Sequence, residues 1–129
     1  MVKTFEPYTN ELTEFEKQQI LPIIVKAWQR RSYDEYITMK QMIRATNTFL
    51  ANKGIKNGKK IAKVNGPRMR KLIHHIRVNG LVDNLIADSK GYFKTKDFDK
   101  LQAFVDSLYQ RSNSFRQVAS SIKKYNQLT

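Results

Sequence analysis

Cysteine is absent from the 129 residues, which closes this chain to disulfide frameworks and thiolate metal sites. Its absence agrees with a reducing cytoplasm. Nowhere do 18 apolar residues run together, and Met1 to Asn10 lacks the apolar core of a signal peptide. The expectation is a soluble protein of the cytoplasm. Acid is scarce too, with 11 Asp and Glu against 24 Lys and Arg and a formal net charge of +13. That scarcity is local. From Tyr36 to Val82 the chain has eleven lysines and arginines over 47 residues and no aspartate or glutamate. Residues 1–35 carry a net −1 and residues 83–129 a net +3.

What is present is enough for one domain. Hydrophobic residues make up 40% of the chain and aromatics 11%, too much apolar material for a disordered basic tail. A surface so uneven in charge attracts and orients a polyanion. Nucleic acid is the commonest such partner, because each neutralised phosphate releases counterions. A solvated face kept for solubility is the bland alternative, but solubility does not require acids to be missing from so long a stretch. The basic block also lacks large apolar residues on the side of its charges, as a membrane-surface helix would need.

Residues 1–12 have no period and read as a loose lead-in. Thr13 with Glu16 has capping-box spacing, so a helix starts at Glu14. Ile20, Leu21, Ile24, Val25 and Trp28 form its core stripe, and Pro22 within that stripe should kink or split it. Thr38 with Gln41 repeats the capping box, and Ile37 with Met42 has staple spacing, so a second helix starts at Met39. Its inner face is Met42, Ile43, Thr46, Phe49 and Leu50, and Gly54 is its stop. Ile55–Val64 is compatible with a loop or a small hairpin. Asn65-Gly66-Pro67 opens a third helix that runs to about Val78 and ends at Asn79-Gly80. Two short strands follow, Leu85–Ala87 and Tyr92–Thr95, around a turn at residues 88–91. Asp97 then caps a long helix from Phe98 to about Tyr125.

The third helix carries the charge. At about 100° per residue, Met69, Leu72, Ile73 and Ile76 fall within an arc of roughly 100° and face the core. Arg68, Arg70, Lys71, His74, His75 and Arg77 spread over about 180° on the opposite side. A major groove admits one α-helix, with arginine on guanine edges and lysine on phosphates. Arg68, Arg70, Lys71 and His75 are expected in the groove, with Arg77, Lys56, Lys59, Lys60 and Lys63 on phosphates. His74 and His75 diverge as neighbours on a helix and have no carboxylate or cysteine nearby, so no metal is expected.

The order helix, helix, basic helix, two-stranded hairpin, helix resembles the winged helix-turn-helix family. The segment PRMRKLIHHIRVNGLVDNLIADSKGYFKTKD is similar to the recognition helix and wing of small winged-helix proteins of bacteriophages and prophages. LTEFEKQQILPIIVKAW is similar to their first helix. The likeness spans roughly residues 12–96, so residues 13–97 are read as the domain. It implies a mainly α fold with a small β-hairpin, double-stranded DNA as partner, and a role as transcription regulator or replication accessory in the host cytoplasm. It makes Lys90, Lys94 and Lys96 wing residues near phosphates. The connection 55–64 departs from the family, since a tight helix-turn-helix has only a few residues there.

In the last helix, within residues 98–129, Leu101, Val105, Leu108, Ser112, Phe115, Ala119 and Ile122 alternate spacings of four and three, a heptad seam. Leu101, Val105, Leu108, Phe115 and Ile122 would pair with a second chain and form a dimer. Alternatively the helix breaks at Ser112-Asn113-Ser114 and folds back on the domain. No phosphate loop, nucleophile elbow or zinc-ligand spacing is present, and no acids converge on the basic block, so neither an enzyme nor a cofactor is expected. Docking on an acidic host or virion protein is the competing function, because winged-helix modules also bind proteins.

Overall fold

The computed structural model describes residues 11–127, so most of the expected lead-in lies outside the described residues. The chain divides into two compact units, one ending at Lys94 and the other beginning at Thr95.

The first unit begins with a capping box. Thr13 Oγ1 accepts from the Glu16 amide at 3.1 Å, and Glu16 Oε1 accepts from the Thr13 amide at 2.9 Å. A π-helical turn, Glu16–Ile20, leads into α1, Leu21–Arg30. Here lies the response to Pro22, which sits in the first turn of α1. Proline has no amide to donate four residues back, so a break in the α ladder just before it costs least. The Leu21 amide reaches Glu16 O instead, across one extra residue. The helical run thus continues from Glu14 to Arg30, with a widened turn just before the proline.

Helix α2, Met39–Asn52, starts at Thr38 with both arms of its capping box formed, at 2.9 and 3.1 Å. It ends in a Schellman turn, with Ile55 N on Leu50 O at 3.0 Å and Gly54 N on Ala51 O at 3.1 Å. Gly54 takes φ +65°, which glycine adopts without a Cβ penalty. The undecided stretch is a hairpin of two short strands, β1 (Lys56–Asn57) and β2 (Lys60–Ile61), both exposed. Helix α3, Gly66–Val78, follows, capped by Asn65 Oδ1 on the Arg68 amide at 3.0 Å. A second Schellman turn closes it, Leu81 N to Ile76 O at 3.0 Å and Gly80 N to Arg77 O at 3.3 Å.

Strands β3 (Leu85–Asp88) and β4 (Gly91–Lys94) pair antiparallel, Ile86 opposite Phe93. Ile37, just before α2, adds one bridge to this hairpin, exchanging backbone hydrogen bonds with Tyr92 at 2.9 and 2.8 Å. The core joins Ile20, Ile24 and Trp28 to Met42 and Leu50, to Met69, Leu72, Ile73 and Ile76, and to Val82 and Leu85. Each helix of this unit contributes an apolar stripe, but Phe49, expected on the inner face of α2, is 41% exposed and does not join the core.

The second unit is built on α4, Phe98–Asn126, capped by Asp97 on the amides of Asp99 and Lys100. The helix is continuous through Ser112-Asn113-Ser114, and none of its residues is buried. The fold is mainly helical, with two small hairpins and a long C-terminal helix. The β1–β2 hairpin is the element that the expected order did not contain. Among the described residues, no helix is long and apolar enough to cross a membrane.

Candidate nucleic-acid interface

Helix α3 sorts its cations into two groups. Met69, Leu72, Ile73 and Ile76 are buried as the wheel requires. Arg70 and His74 are exposed on the far side, and Lys71 and His75 are half-buried beside them. The Arg70 guanidinium lies over the first turn, where a Cβ on Gly66 would stand 3.7 Å from Nη1 and Nη2. The amides of that turn add their own attraction for an anion.

Arg68 and Arg77 do not join this face, and both expectations are corrected. Arg68 is 5% exposed. Its Nε donates to Glu16 Oε2 at 2.8 Å, its Nη2 to Glu16 Oε1, and Nη2 also to Glu11 O at 3.1 Å. Burial of Glu16 would by itself raise its pKa. The Arg68 guanidinium and the hydrogen bonds from Thr13 outweigh it and hold the carboxyl below the usual carboxylate value. Arg77 is half-buried: Nε donates to Leu85 O at 3.1 Å, and the guanidinium lies 5.3 Å from the Tyr92 ring centre. It fastens the β3–β4 hairpin to α3 instead of reaching outward. On the wheel these are the two outermost members of the cationic arc, each about 90° from the centre of the apolar one. A border position can turn either way, and both turned inward.

The other lysines divide likewise. Lys56, Lys59, Lys60 and Lys63 are exposed, at and just after the β1–β2 hairpin. Lys90 is exposed in the β3–β4 turn, its Nζ 5.6 Å from the Tyr36 ring centre. Lys94 is a third correction: it is 6% exposed, with Nζ 4.8 Å from the Tyr33 ring centre. An ammonium held on an aromatic face can be enclosed because the ring's negative quadrupole replaces part of its hydration. Lys96 is exposed in the second unit.

Sequence reasoning missed the residues that aim this surface. Asn47 on α2 clamps the lead-in to α3, donating to Val64 O at 3.0 Å and accepting from Val64 N at 2.7 Å. Tyr36 donates to Asp88 Oδ2 at 3.2 Å, and its ring tilts against Phe93 with centroids 4.3 Å apart. Neither has a signal in spacing, since both join parts of the chain far apart in sequence. Glu16 did leave a trace, being the one carboxylate of a capping box with a spare oxygen, but its partner lies 52 positions away.

Among the described residues, no three His, Asp or Glu side chains are placed to share a metal ion. In the second unit, Val105, Leu108, Phe115 and Ile122 are exposed by 41, 44, 72 and 51%, and Leu101 is half-buried. Compared with known proteins, the chain matches no family model, and no curated protein or solved structure matches it.

Proposed function

We propose that this is a double-stranded DNA-binding protein of the winged helix-turn-helix kind, without catalytic activity. In this reading α3 enters the major groove, the β3–β4 hairpin is the wing, and the protein serves a phage or mobile element as transcription regulator or replication accessory. The observation that carries it is the outer face of α3. Arg70, Lys71, His74 and His75 stand there within an acid-free run of 47 residues. Arg70 and Lys71 lie in the first turns, where helix-turn-helix proteins meet base edges. Exposed Lys56, Lys59, Lys60 and Lys63 are suited to phosphates, and Lys90 and Lys96 to the flanking backbone. The strand bridge from Ile37 to Tyr92 supports the wing reading, because it braces the hairpin against the start of α2.

The test is a shift assay with random duplex DNA at 50 and 200 mM salt. Binding at the lower salt that weakens with a log–log slope of about 0.9 per neutralised phosphate is expected. No shift at the lower salt would overturn the reading. Selection from a randomised duplex pool would then give the site, and a palindrome would identify a dimer. The α4 seam is the expected dimer contact, which would double the modules on one site and raise affinity without new contacts per module.

A second reading rests on α4 itself. Phe115, Val118, Ile122 and Tyr125 are exposed by 51 to 79%, and residues 107–127 contain four basic residues and no acid. Such a helix suits an acidic, apolar groove on a host or virion protein. Failure to bind duplex DNA, with a monomer mass in light scattering, favours this reading.

A further inference from the structure

Helix α2 approaches α3 more closely than it approaches α1, and the gap between α1 and α2 is a cavity of about 500 Å³. Its walls are apolar, with Ile23 and Trp28 on one side, Phe49 on the other and Met69 of α3 beneath. Ala27 and Ala45, both exposed, also line it, and larger side chains there would narrow the gap. The volume lies within the range of about 300–1,000 Å³ typical of small-molecule sites.

The polar side of this cavity has one sign. Lys26, Arg30 and Arg31 line it, and no carboxylate does. Arg31 is held in place: Nη2 donates to the carbonyls of Glu35 at 3.3 Å and Tyr36 at 3.2 Å, and the guanidinium lies 5.6 Å from the Trp28 ring centre. The Glu35 carboxylate stands 3.4 Å from the same Nη2 and is itself more than half exposed. Nε of Arg31 is buried with no hydrogen-bond partner. The guanidinium is therefore a charge fixed in position at the cavity's polar side.

We infer that the α1–α2 cavity is a binding site for a small amphipathic anion, an apolar chain or ring that carries a carboxylate. The apolar body lies between Trp28 and Phe49, and the carboxylate meets Arg31 with Lys26 and Arg30 beside it. This site is independent of the proposed DNA-binding face. Apolar walls alone would take any oily molecule; the three cations select charge. A neutral hydroxyl or a cation at that position would leave the three cations poorly matched, which is what discriminates between ligands of equal length.

Trp28, the chain's one tryptophan, is a built-in reporter. Decanoate, decanol and decyltrimethylammonium are titrated separately into the whole protein below their micelle-forming concentrations, with Trp28 emission and titration heat as readouts. Decanoate is expected to give a saturable one-to-one change, at least tenfold tighter than decanol, and the cationic probe none. Ala45→Phe, a change at an exposed helix position, fills the cavity and should abolish the decanoate response while the helical circular dichroism stays intact. Lys26→Gln with Arg30→Gln should weaken decanoate several-fold and leave decanol unchanged. Equal affinity for decanol and decanoate overturns the inference. So does a decanoate response that survives in Ala45→Phe, since the probe would then be collecting on the basic surface, and so does no response at millimolar decanoate.

Discussion

Helices α3 and α4 use their apolar residues in opposite ways. α3 has 13 residues and buries five of them, whereas α4 has 29 and buries none. In α3 the surrounding core decides which side chains face outward, so its cationic face is fixed by packing. In α4 the seam is written in the sequence, but none of its residues is buried. Burial of a Leu, Ile or Phe side chain is worth about 1.5–3 kcal/mol. That stabilisation is already realised in α3 and still open in α4.

The largest expected effect attacks α3 from within. Glu16→Ala leaves the Arg68 charge buried without its carboxylate, and breaking such a pair costs about 3–5 kcal/mol, readable by urea unfolding. The same pair sets a pH dependence. The Glu16 carboxyl is held below its ordinary value in the folded state, so its contribution is complete above the unfolded pKa and is lost as pH falls through the lower, folded one. Glu16→Gln should remove that acid-side slope, and a slope unchanged in the variant would mean that the pair is not its source.

Next comes Gly91, which holds the hairpin beside α2. Its φ is +137°, and a Cβ there would stand 2.6 Å from Ile37 O. Gly91→Ala should cost at least about 1–3 kcal/mol from backbone strain alone and break the bridge to Tyr92, seen as faster amide exchange at Ile37. The outward face of α3 is then set against the lysines of the β1–β2 hairpin. Arg70→Ala is expected to cost about 1–3 kcal/mol in DNA affinity and relax base preference, while Lys60→Ala lowers affinity evenly and reduces the salt slope by about 1. Equal loss on every duplex with Arg70→Ala would move Arg70 from base reading to phosphate holding. The smallest effect on the monomer's stability belongs to α4. Phe115→Ala with Ile122→Ala should change it by less than about 0.5 kcal/mol each, as for exposed positions generally. The same pair of changes should turn a dimer mass into a monomer mass in light scattering.

Much of the architecture was legible because its signals are local. The Thr13–Glu16 and Thr38–Gln41 boxes, the Gly54 and Gly80 stops and the 3.6-residue stripes each specify a boundary within a few residues of themselves. Pro22 announced a disturbance, but not that a π turn would absorb it. The candidate interface was legible at its centre, Arg70 to His75, and misread at its edges. Arg68, Arg77 and Lys94 each found a partner across the fold, in Glu16, in Leu85 and Tyr92, and in Tyr33. A sequence read through helical periods carries no information on such pairings. The cavity between α1 and α2 was invisible for the same reason, since nothing in their spacing marks Ala27 and Ala45 as lining a void.

The junction between Glu16 and Arg68 also constrains the order in which the chain matures on the ribosome. The carboxylate emerges first and has no counter-ion until 52 further positions have been made. Closing so long a loop is an entropic expense that only the assembled interior can offset. The opening turn therefore completes its contacts with α3 only after α3 has been made, although its own capping box is local.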